Sequence, residues 1–452
     1  MSAPSAAPLG TLVRLAVPMI LARASQSVIT FADAIQVKHL GFQAIAATAT
    51  GGLNVMCFVT LAMGTVFIVQ SFVAQLVGRG ERDQAPRFAW YGLAIALFAA
   101  VLSAALIPLV GPALALTDYS PQVQGEMTSY MAIRVLSIGA IVGTEALGNW
   151  YGGLGNTWLQ MGAGIVTMVA AVILNWILID GHLGAPAMGV SGAALASTIA
   201  SFLGFGILAV AFWRRWGNAP AARAHQLSLR ELGRVLRFGL PNGLNWFLEF
   251  TAFQLFVNGV LASLGDQTVA AINVVIAINA LSFMPAFGLA SAGAILAGQA
   301  IGRGARDDVW PQVKITLLCT MIWMGAISLL YLAFPGRLLA LFGSDHAGDL
   351  VAIGSTMLML SAAWQLTDAI NMTLSETLRA AGDTTWTAAA RILLSWAVFT
   401  PAAFLVVTRL HGGPVGAMLC LIGYLGLLSI ALGWRFRSGA WKHIELIEPA
   451  LV

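Results

Sequence analysis

The stretch Gln75-Leu-Val-Gly-Arg-Gly-Glu-Arg-Asp83 returns as Gln299-Ala-Ile-Gly-Arg-Gly-Ala-Arg-Asp307, 224 residues further along a chain of 452. Other pairs lie at the same offset, because Gly41-Phe-Gln43 aligns with Gly265-Asp-Gln267 and Gly192-Ala193 aligns with Gly416-Ala417. Matches spread over both halves indicate that a whole structural unit was duplicated rather than a short motif.

The composition is that of an integral membrane protein. Hydrophobic residues make up 59% of the chain, charged residues make up 9%, and the mean hydropathy is +0.84, whereas soluble domains contain about 25% charged residues. Twelve apolar runs, six in each half, are long enough to cross a hydrocarbon layer of about 30 Å. Helices satisfy their own backbone hydrogen bonds there. The predicted fold class is therefore an all-α polytopic membrane protein with twelve transmembrane helices in two six-helix repeats.

The two repeats run parallel, because six spans separate equivalent points and both halves enter from the same side. We predict an N-terminal six-helix lobe over 1–213 and a cytoplasmic linker over 214–237, in which a short amphipathic helix begins near Ser228. A C-terminal six-helix lobe over 238–435 and a cytoplasmic tail over 436–452 follow.

Orientation is predicted from the distribution of Lys and Arg. Most fall in segments on one side of the predicted spans, which places both termini in the cytoplasm by the positive-inside rule. This bias explains the pI of 9.2 without a nucleic-acid partner. The three cysteines lie in apolar spans without pairing spacing, so neither a disulfide nor a metal site is expected; they are Cys57, Cys319 and Cys420.

Three acids, Asp33, Glu249 and Asp368, are embedded in apolar helices. A charge at a helix centre costs about 2.5 to 3.5 kcal/mol on insertion scales, which suggests that these residues are used. Each lies in a polar stripe at helical spacing. The stripe residues are Arg23, Gln26 and Thr30 in the first helix, Asn242 and Asn245 in the seventh, and Ser361, Gln365 and Ser375 in the tenth. A desolvated carboxylate of this kind can bind and release a proton or a small cation.

The alternative interpretation is that these acids only hold helices together. Arg23 or Arg134 could pair with Asp33, and these two are the only deep basic residues that we identify. No cation shares a helix face with Glu249 or Asp368, which favours a functional role for both.

Glu145 and Glu376 end the fourth and tenth helices beside Gly-rich turns. We expect local pairing for them, for example of Glu376 with Arg379. The change Glu145→Gln is accordingly expected to be mild.

Short motifs in this arrangement resemble the multidrug and toxic compound extrusion (MATE) family, in particular its NorM-like bacterial branch. The resemblance covers nearly the whole chain and rests on Ala32-Asp33, Leu40-Gly41, Leu154-Gly155, Asn175-Trp176, Phe247-Leu-Glu249, Gly298-Gln-Ala-Ile-Gly302, Asp368-Ala369 and Leu378-Arg379. It implies a V-shaped, two-lobed bundle in the bacterial inner membrane. It also implies a transporter rather than an enzyme, which exports organic cations or other amphipathic compounds in exchange for H+ or Na+.

By this resemblance Asp33 is the coupling acid of the N-terminal lobe, and Glu249 and Asp368 are those of the C-terminal lobe. Supporting polar residues are expected at Gln26, Thr30, Asn175, Ser197, Asn245 and Gln365. The chain departs from the family at Ala171, where a second polar side chain often accompanies the one at Asn175, although Ser197 or Thr198 could supply another oxygen. A lost oxygen weakens a Na+ site more than a protonation site, so the sequence favours H+ in the N-terminal lobe and leaves Na+ open in the other.

Aromatic residues beside these acids are candidates for a substrate cavity, because a cation gains free energy over an aromatic ring; they are Trp246, Phe253 and Trp364. The expected partners are amphipathic, cationic small molecules and the lipid bilayer. We expect no cofactor other than the coupling ion, no metal other than Na+, and a monomer.

Two other classes of membrane protein fit the sequence less well. A flippase for a lipid-linked or other anionic amphiphile would need a more basic cavity than Arg23 and Arg134 provide. Gly189-Val-Ser-Gly192 matches the motif of intramembrane serine proteases, but no His lies deep in a span to act as a base. Helix packing by small residues is the favoured interpretation of that motif.

Overall fold

The computed structural model describes residues 9–115, 119–217, 220, 227–340 and 348–447, except for the side chains of Ser27, Thr30, Phe31, Ala34, Phe42, Asp266 and 348–350. The described residues contain helices and no strand, which confirms the all-α class. Twelve long helical segments follow one another in this part of the chain: α1 (Leu9–Val37), α2 (Gln43–Arg79), α3 (Pro86–Leu114), α4 (Pro121–Val135 and Ile138–Gly153), α5 (Trp158–Asp180), α6 (Gly189–Trp213), α7 (Leu229–Leu264), α8 (Asp266–Gly302), α9 (Val309–Ala333), α10 (Gly348–Ala381), α11 (Thr384–Thr408) and α12 (Gly413–Arg437).

The chain is a multi-pass membrane protein. Among the described residues nine of these helices are long and apolar enough to cross a membrane, and the two parts of α4, bent by 41°, together form a tenth candidate span. With α1 and α10 they give the twelve helices predicted from the sequence. Two helices contain a π-helical turn, at Phe256–Val260 in α7 and Leu394–Phe399 in α11.

The repeated nine-residue phrase closes α2 and α8 in the same way. Its second glycine adopts a left-handed conformation in both copies, with φ of +81° at Gly80 and +77° at Gly304. The next amide then donates to the carbonyl five residues earlier, from Glu81 to Leu76 at 2.9 Å and over 3.0 Å in the second copy. Glycine is the residue that adopts this conformation without a steric penalty. The phrase therefore recurs because two equivalent helices end on the same cap.

The chain divides into two compact units whose boundaries lie inside helices. One unit is Leu21–Gly243, and the other is Leu244–Val452 together with the chain up to Ile20. Each boundary in α1 and α7 follows a proline by two residues, at Pro18 and Pro241, where the ring removes a helical hydrogen bond. We call the first the N-terminal unit and the second the C-terminal unit; the lobes 1–213 and 238–435 remain a prediction.

The beginning of α7 is not a separate linker helix. The helix starts at Leu229 and runs without interruption past Pro241, so the short helix expected near Ser228 is the first part of α7. Its residues up to Gly243 belong to the N-terminal unit. Tyr91 of α3 fixes this start, because its hydroxyl donates to Glu231 at 2.8 Å and accepts from the amide of Ser228 at 2.8 Å.

Close helix contact within the N-terminal unit depends on glycine. A Cβ added at Gly243 of α7 would lie 2.3 Å from the carbonyl oxygen of Leu61 in α2. Beside it, the Asn242 side chain donates to the carbonyl oxygen of Gly64 at 2.7 Å. Asn242, which the sequence placed in a polar stripe, therefore joins two helices.

The C-terminal unit has a glycine at the equivalent place. Gly288 of α8 lies 224 residues after Gly64, and a Cβ there would lie 3.1 Å from the amide nitrogen of Ile20 in α1. In the N-terminal unit Gly192 packs α6 against α5, with a Cβ position 2.4 Å from the carbonyl oxygen of Leu178. This contact supports the packing interpretation of Gly189-Val-Ser-Gly192.

Gly243→Ala is expected to destabilise the protein by about 1 to 3 kcal/mol, because the added methyl group meets backbone that cannot move aside. The midpoint of thermal unfolding in detergent measures this effect. Gly233→Ala is a matched control in the same helix, since nothing lies within 4 Å of its Cβ position. That change should leave stability unaltered or raise it by about 0.5 to 1 kcal/mol. Equal midpoints for the two variants would contradict the packing argument.

Candidate functional site

Asp33 of α1 is held by two neutral side chains of the N-terminal unit. Asn175 of α5 donates to Oδ1, and Ser197 of α6 donates to Oδ2 at 3.1 Å. Asn175 is fully buried and its own Oδ1 has no hydrogen-bond partner among the described residues. Hydrogen bonds from neutral donors stabilise a carboxylate without neutralising it. The arrangement therefore leaves Asp33 with a negative charge to offer, beside an unused oxygen.

Ser197 takes the place of the polar side chain that Ala171 lacks. Ala171 is buried one turn before Asn175, and Ser197 of the next helix takes the second place on the carboxylate. Thr198, the other residue considered for this place, donates instead to the carbonyl oxygen of Ile133 at 3.3 Å. Arg134 attracts Asp33 electrostatically, while its guanidinium donates to Ser137 at 3.1 Å.

Arg23 does not pair with Asp33. Its two Nη atoms donate to the two carboxylate oxygens of Glu145 in α4, at 2.8 and 2.9 Å. The side chains are 9% and 4% exposed, so this is a bidentate ion pair in the interior. The amide of Asn149 donates to the carbonyl oxygen of Glu145 at 2.8 Å. The expectation that Glu145 pairs locally was wrong, because its partner lies on another helix.

Of the other two supporting residues predicted for the N-terminal unit, only the side chain of Gln26 is described. Gln26 points its amide at Glu145, with Nε2 3.5 Å from Oε1, so it belongs to the Arg23 pair rather than to Asp33. The side chain of Thr30 lies outside the described residues. Glu376 pairs with Arg379, as expected for a local partner three residues on.

Glu249 of α7 carries an ion pair that the sequence did not reveal. Arg391 of α11 directs Nη1 to both carboxylate oxygens, at 3.1 Å from Oε1 and 2.9 Å from Oε2. The hydroxyl of Tyr424 in α12 donates to Oε1 at 3.2 Å. Nη2 of Arg391 donates to Ser375 of α10 at 2.8 Å. Three other helices of the C-terminal unit, α10, α11 and α12, therefore contact this ion pair.

Asp368 of α10 belongs to the same cluster but has no direct partner. Its carboxylate makes no hydrogen bond or ion pair with another described residue, although it interacts electrostatically with Arg391 and Glu249. The cluster thus contains two acids and one guanidinium cation. Among the described residues, Asp368 accepts no hydrogen bond.

Of the residues expected to support Asp368 and Glu249, Gln365 makes its contacts elsewhere. Gln365 bonds Asn279 of α8 through Nε2 and reaches Ser282 at 3.2 Å, so it ties α10 to α8. The hydroxyl of Tyr331 in α9 joins the same network at 3.3 Å from Ser282. Asn245 is buried, and its Oδ1 has no partner among the described residues.

The aromatic candidates for a substrate cavity are used for packing where their contacts are described. Phe253 and Trp364 pack against the hydrophobic core of the C-terminal unit. The ring of Trp246 lies edge-on to Phe287, with centroids 6.3 Å apart.

The spacing of residues along one helix does not reveal Arg391, because this cation lies on a different helix from the acid that it contacts. The residue lies 142 positions from Glu249 along the chain, on a helix with no acid of its own. A signal was present, however, because Arg391 is the one charged residue in Thr384–Thr408. The statement that only Arg23 and Arg134 lie deep was therefore wrong.

Known proteins share this organisation. The MatE family model matches the chain twice, over residues 18–177 and 244–404. The chain belongs to the MatE family. The two matches also confirm the duplication, since each half is recognised separately by the same model of these membrane transporters.

Relatives in this family match along almost the whole chain. The chain is 26% identical to a probable multidrug resistance protein NorM of Thermotoga maritima over 446 residues, which is 95% of this chain and 92% of that protein. It is 28% identical to a probable multidrug resistance protein NorM of Neisseria meningitidis serogroup B, over 94% and 92%. Multidrug resistance protein PmpM of Pseudomonas aeruginosa is 27% identical, over 88% and 84%.

Solved structures share the fold at lower identity. A MOP superfamily transporter from Pyrococcus furiosus superposes with a TM-score of 0.89 at 20% identity, over 97% of both chains. An outward-facing multidrug resistance MATE family transporter superposes with a TM-score of 0.87 at 20% identity, also over 97% of both.

Glu145→Gln is expected to destabilise the protein by about 3 to 5 kcal/mol, because it leaves the buried guanidinium of Arg23 without its counter-charge. This replaces the expectation of a mild effect. Thermal unfolding of the purified protein in detergent measures the loss.

The double variant Arg23→Met with Glu145→Leu is the control, since it removes both charges at similar volume. It should recover most of the stability lost in Glu145→Gln. If the single variant unfolds at the wild-type temperature, the pair is not a structural element.

Proposed function

We propose that this protein exports amphipathic, cationic small molecules from the bacterial cytoplasm by antiport against H+ or Na+. Its place in the MatE family and the multidrug resistance relatives support drug-like substrates. The protein lies in the inner membrane with both termini in the cytoplasm, which the Lys and Arg distribution supports. Both the coupling and the substrate class are proposals.

Asp33 is the coupling acid of the N-terminal unit. The observation that carries the proposal is its pair of neutral donors, Asn175 and Ser197. An ionised carboxylate within a membrane span attracts a cation strongly, and a proton neutralises it with a single bond. A cationic substrate and the coupling ion therefore compete for the same negative charge. Besides the carboxylate, only Asn175 and Ser197 offer an oxygen here, and so small a set of ligands favours H+ over Na+.

Glu249 and Asp368 are the coupling acids of the C-terminal unit. With Arg391 they form a cluster whose formal charge is −1 when both acids are ionised. Binding of one monovalent cation neutralises the cluster, which removes its attraction for a cationic substrate. Loss of the ion on the cytoplasmic side restores that attraction, so binding and release alternate.

The membrane potential is sufficient to drive such a cycle. One charge moved across 100 mV gains about 2.3 kcal/mol, which corresponds to roughly a fiftyfold concentration ratio. The ion gradient adds to this value.

A flippase for an anionic lipid-linked substrate fits less well. Arg23 and Arg391 each pair with a carboxylate, so neither offers an uncompensated positive charge to a phosphate. The third deep arginine, Arg134, is attracted electrostatically by Asp33. No observation favours that function over export of cations.

Asp33→Asn, Glu249→Gln and Asp368→Asn should each lower gradient-driven transport by about tenfold or more, because each removes a charge that the ion and the substrate exchange. The measurement is transport of a fluorescent organic cation in proteoliposomes. An imposed pH gradient and an imposed Na+ gradient are tested separately.

Asp307→Asn is the control, because that carboxylate is 95% exposed in a loop. It should transport at the wild-type rate. A wild-type rate in one of the three acid variants would remove that residue from the mechanism. Transport by the wild type that responds to neither gradient would overturn antiport altogether, and transport of a lipid-linked anion would favour the flippase.

A further inference from the structure

Arg391 contacts Glu249 and interacts electrostatically with Asp368, so it already supplies a positive charge to the two acids. We propose that Arg391 is the resident counter-ion of Glu249 and Asp368, and that it excludes Na+ from this pair. It would thereby be a specificity-determining residue for the coupling ion. The inference rests on the antiport proposed above and narrows the choice of ion in the C-terminal unit.

The oxygens of Glu249 are already in use. Oε1 accepts from Arg391 and from Tyr424, and Oε2 accepts from Arg391. A Na+ ion needs several oxygens around it, so at Glu249 it would have to share them with the guanidinium or displace it. The guanidinium remains close even then, because it is attached to α11.

Arg391 is held in position by more than Glu249. Nη2 donates to Ser375 at 2.8 Å, and the side chain is only 16% exposed. Its Nε is buried and has no acceptor among the described residues. Asp368 is the complementary case, an acid without a donor that interacts electrostatically with Arg391. One guanidinium therefore interacts with both acids, by direct contact with Glu249 and electrostatically with Asp368.

The charges of the surrounding helices do not alter this balance. The charged and titratable groups that interact with Asp368 and Arg391 are Glu249 on α7 and Tyr424 on α12. Of the other helices packed on α10, α8 carries no Asp, Glu, Lys, Arg or His over 267–302. In α9 the one such residue is Lys314, close to the beginning of the helix. The short helix Pro335–Ala340, which packs on the first part of α10, carries Arg337, and the arginines of α12 lie in its last turn.

Repulsion decides between the two ions. Like charges about 4 Å apart near a protein surface weaken binding by up to about a thousandfold, and Na+ at this pair would face the guanidinium at close range. A proton needs only one carboxylate oxygen. It can occupy Asp368 while Arg391 stays with Glu249, so coupling at this pair falls to H+. Asp33 differs, because its donors are neutral.

The test is equilibrium binding of radiolabelled Na+ to the purified full-length protein in detergent, which does not depend on transport. The wild type and Glu249→Gln should bind the same amount of Na+, because the wild-type pair of acids binds none. Arg391→Met should gain one saturable site, with half-saturation at a concentration about tenfold or more below any wild-type value. Adding Glu249→Gln to Arg391→Met should abolish that site.

Two further variants make the result decisive. Arg391→Lys keeps the charge and should bind no more Na+ than the wild type. Arg391→Gln is neutral but can still donate to Glu249, so it replaces Arg391→Met if the latter does not fold. Size-exclusion chromatography checks folding.

Three results would overturn the proposal. They are Na+ binding by the wild type that depends on Glu249, no gain of binding in either neutral variant, and an equal gain in Arg391→Lys. Failure of drug antiport with these binding results intact would instead affect the proposed function and leave the counter-ion assignment in place.

Discussion

An ionised side chain in the hydrocarbon layer must find a partner, and this requirement shapes the interior of both units. An unpaired charge costs about 2.5 to 3.5 kcal/mol at a helix centre, and buried charges in proteins are therefore paired or hydrogen-bonded. The chain meets the requirement in three different ways. Arg23 and Glu145 neutralise each other fully, Arg391 serves Glu249 beside a second acid, and Asp33 receives only neutral donors.

These three arrangements differ in their net charge. The Arg23 and Glu145 pair has no net charge and joins two helices of the N-terminal unit. Asp33, when ionised, makes no ion pair among the described residues and is attracted only electrostatically by Arg134. The cluster of Glu249, Asp368 and Arg391 keeps one negative charge and contains its own cation. Sites of the last two kinds can exchange an ion, whereas a closed bidentate pair cannot do so without breaking.

The duplication supplies the frame in which these differences arise. One family model matches both halves, and equivalent helices end on the same left-handed glycine at Gly80 and Gly304. Gly64 and Gly288 mark equivalent close contacts in the two units. The acids embedded in the helices have no such counterparts, because Asp33 aligns with Val257 and Asp368 with Thr144 at the same offset. The repeat therefore builds two similar scaffolds, on which different charged groups were placed.

The sequence by itself determined the membrane class, the twelve helices, their duplication and the three acids. Each of these depends on the composition or spacing of neighbouring residues, which the chain displays directly. Only the tertiary structure decided the partners of Glu145 and Glu249, because each of these two ion pairs joins residues more than a hundred positions apart. Glu145 pairs with Arg23 and Glu249 with Arg391 for this reason. The start of α7 was also misplaced, since a polar surface helix and the beginning of a membrane helix look alike until the contact of Tyr91 with Ser228 is known. Spacing places residues on one helix face, but the side chains that oppose a charge come from whichever helices pack beside it.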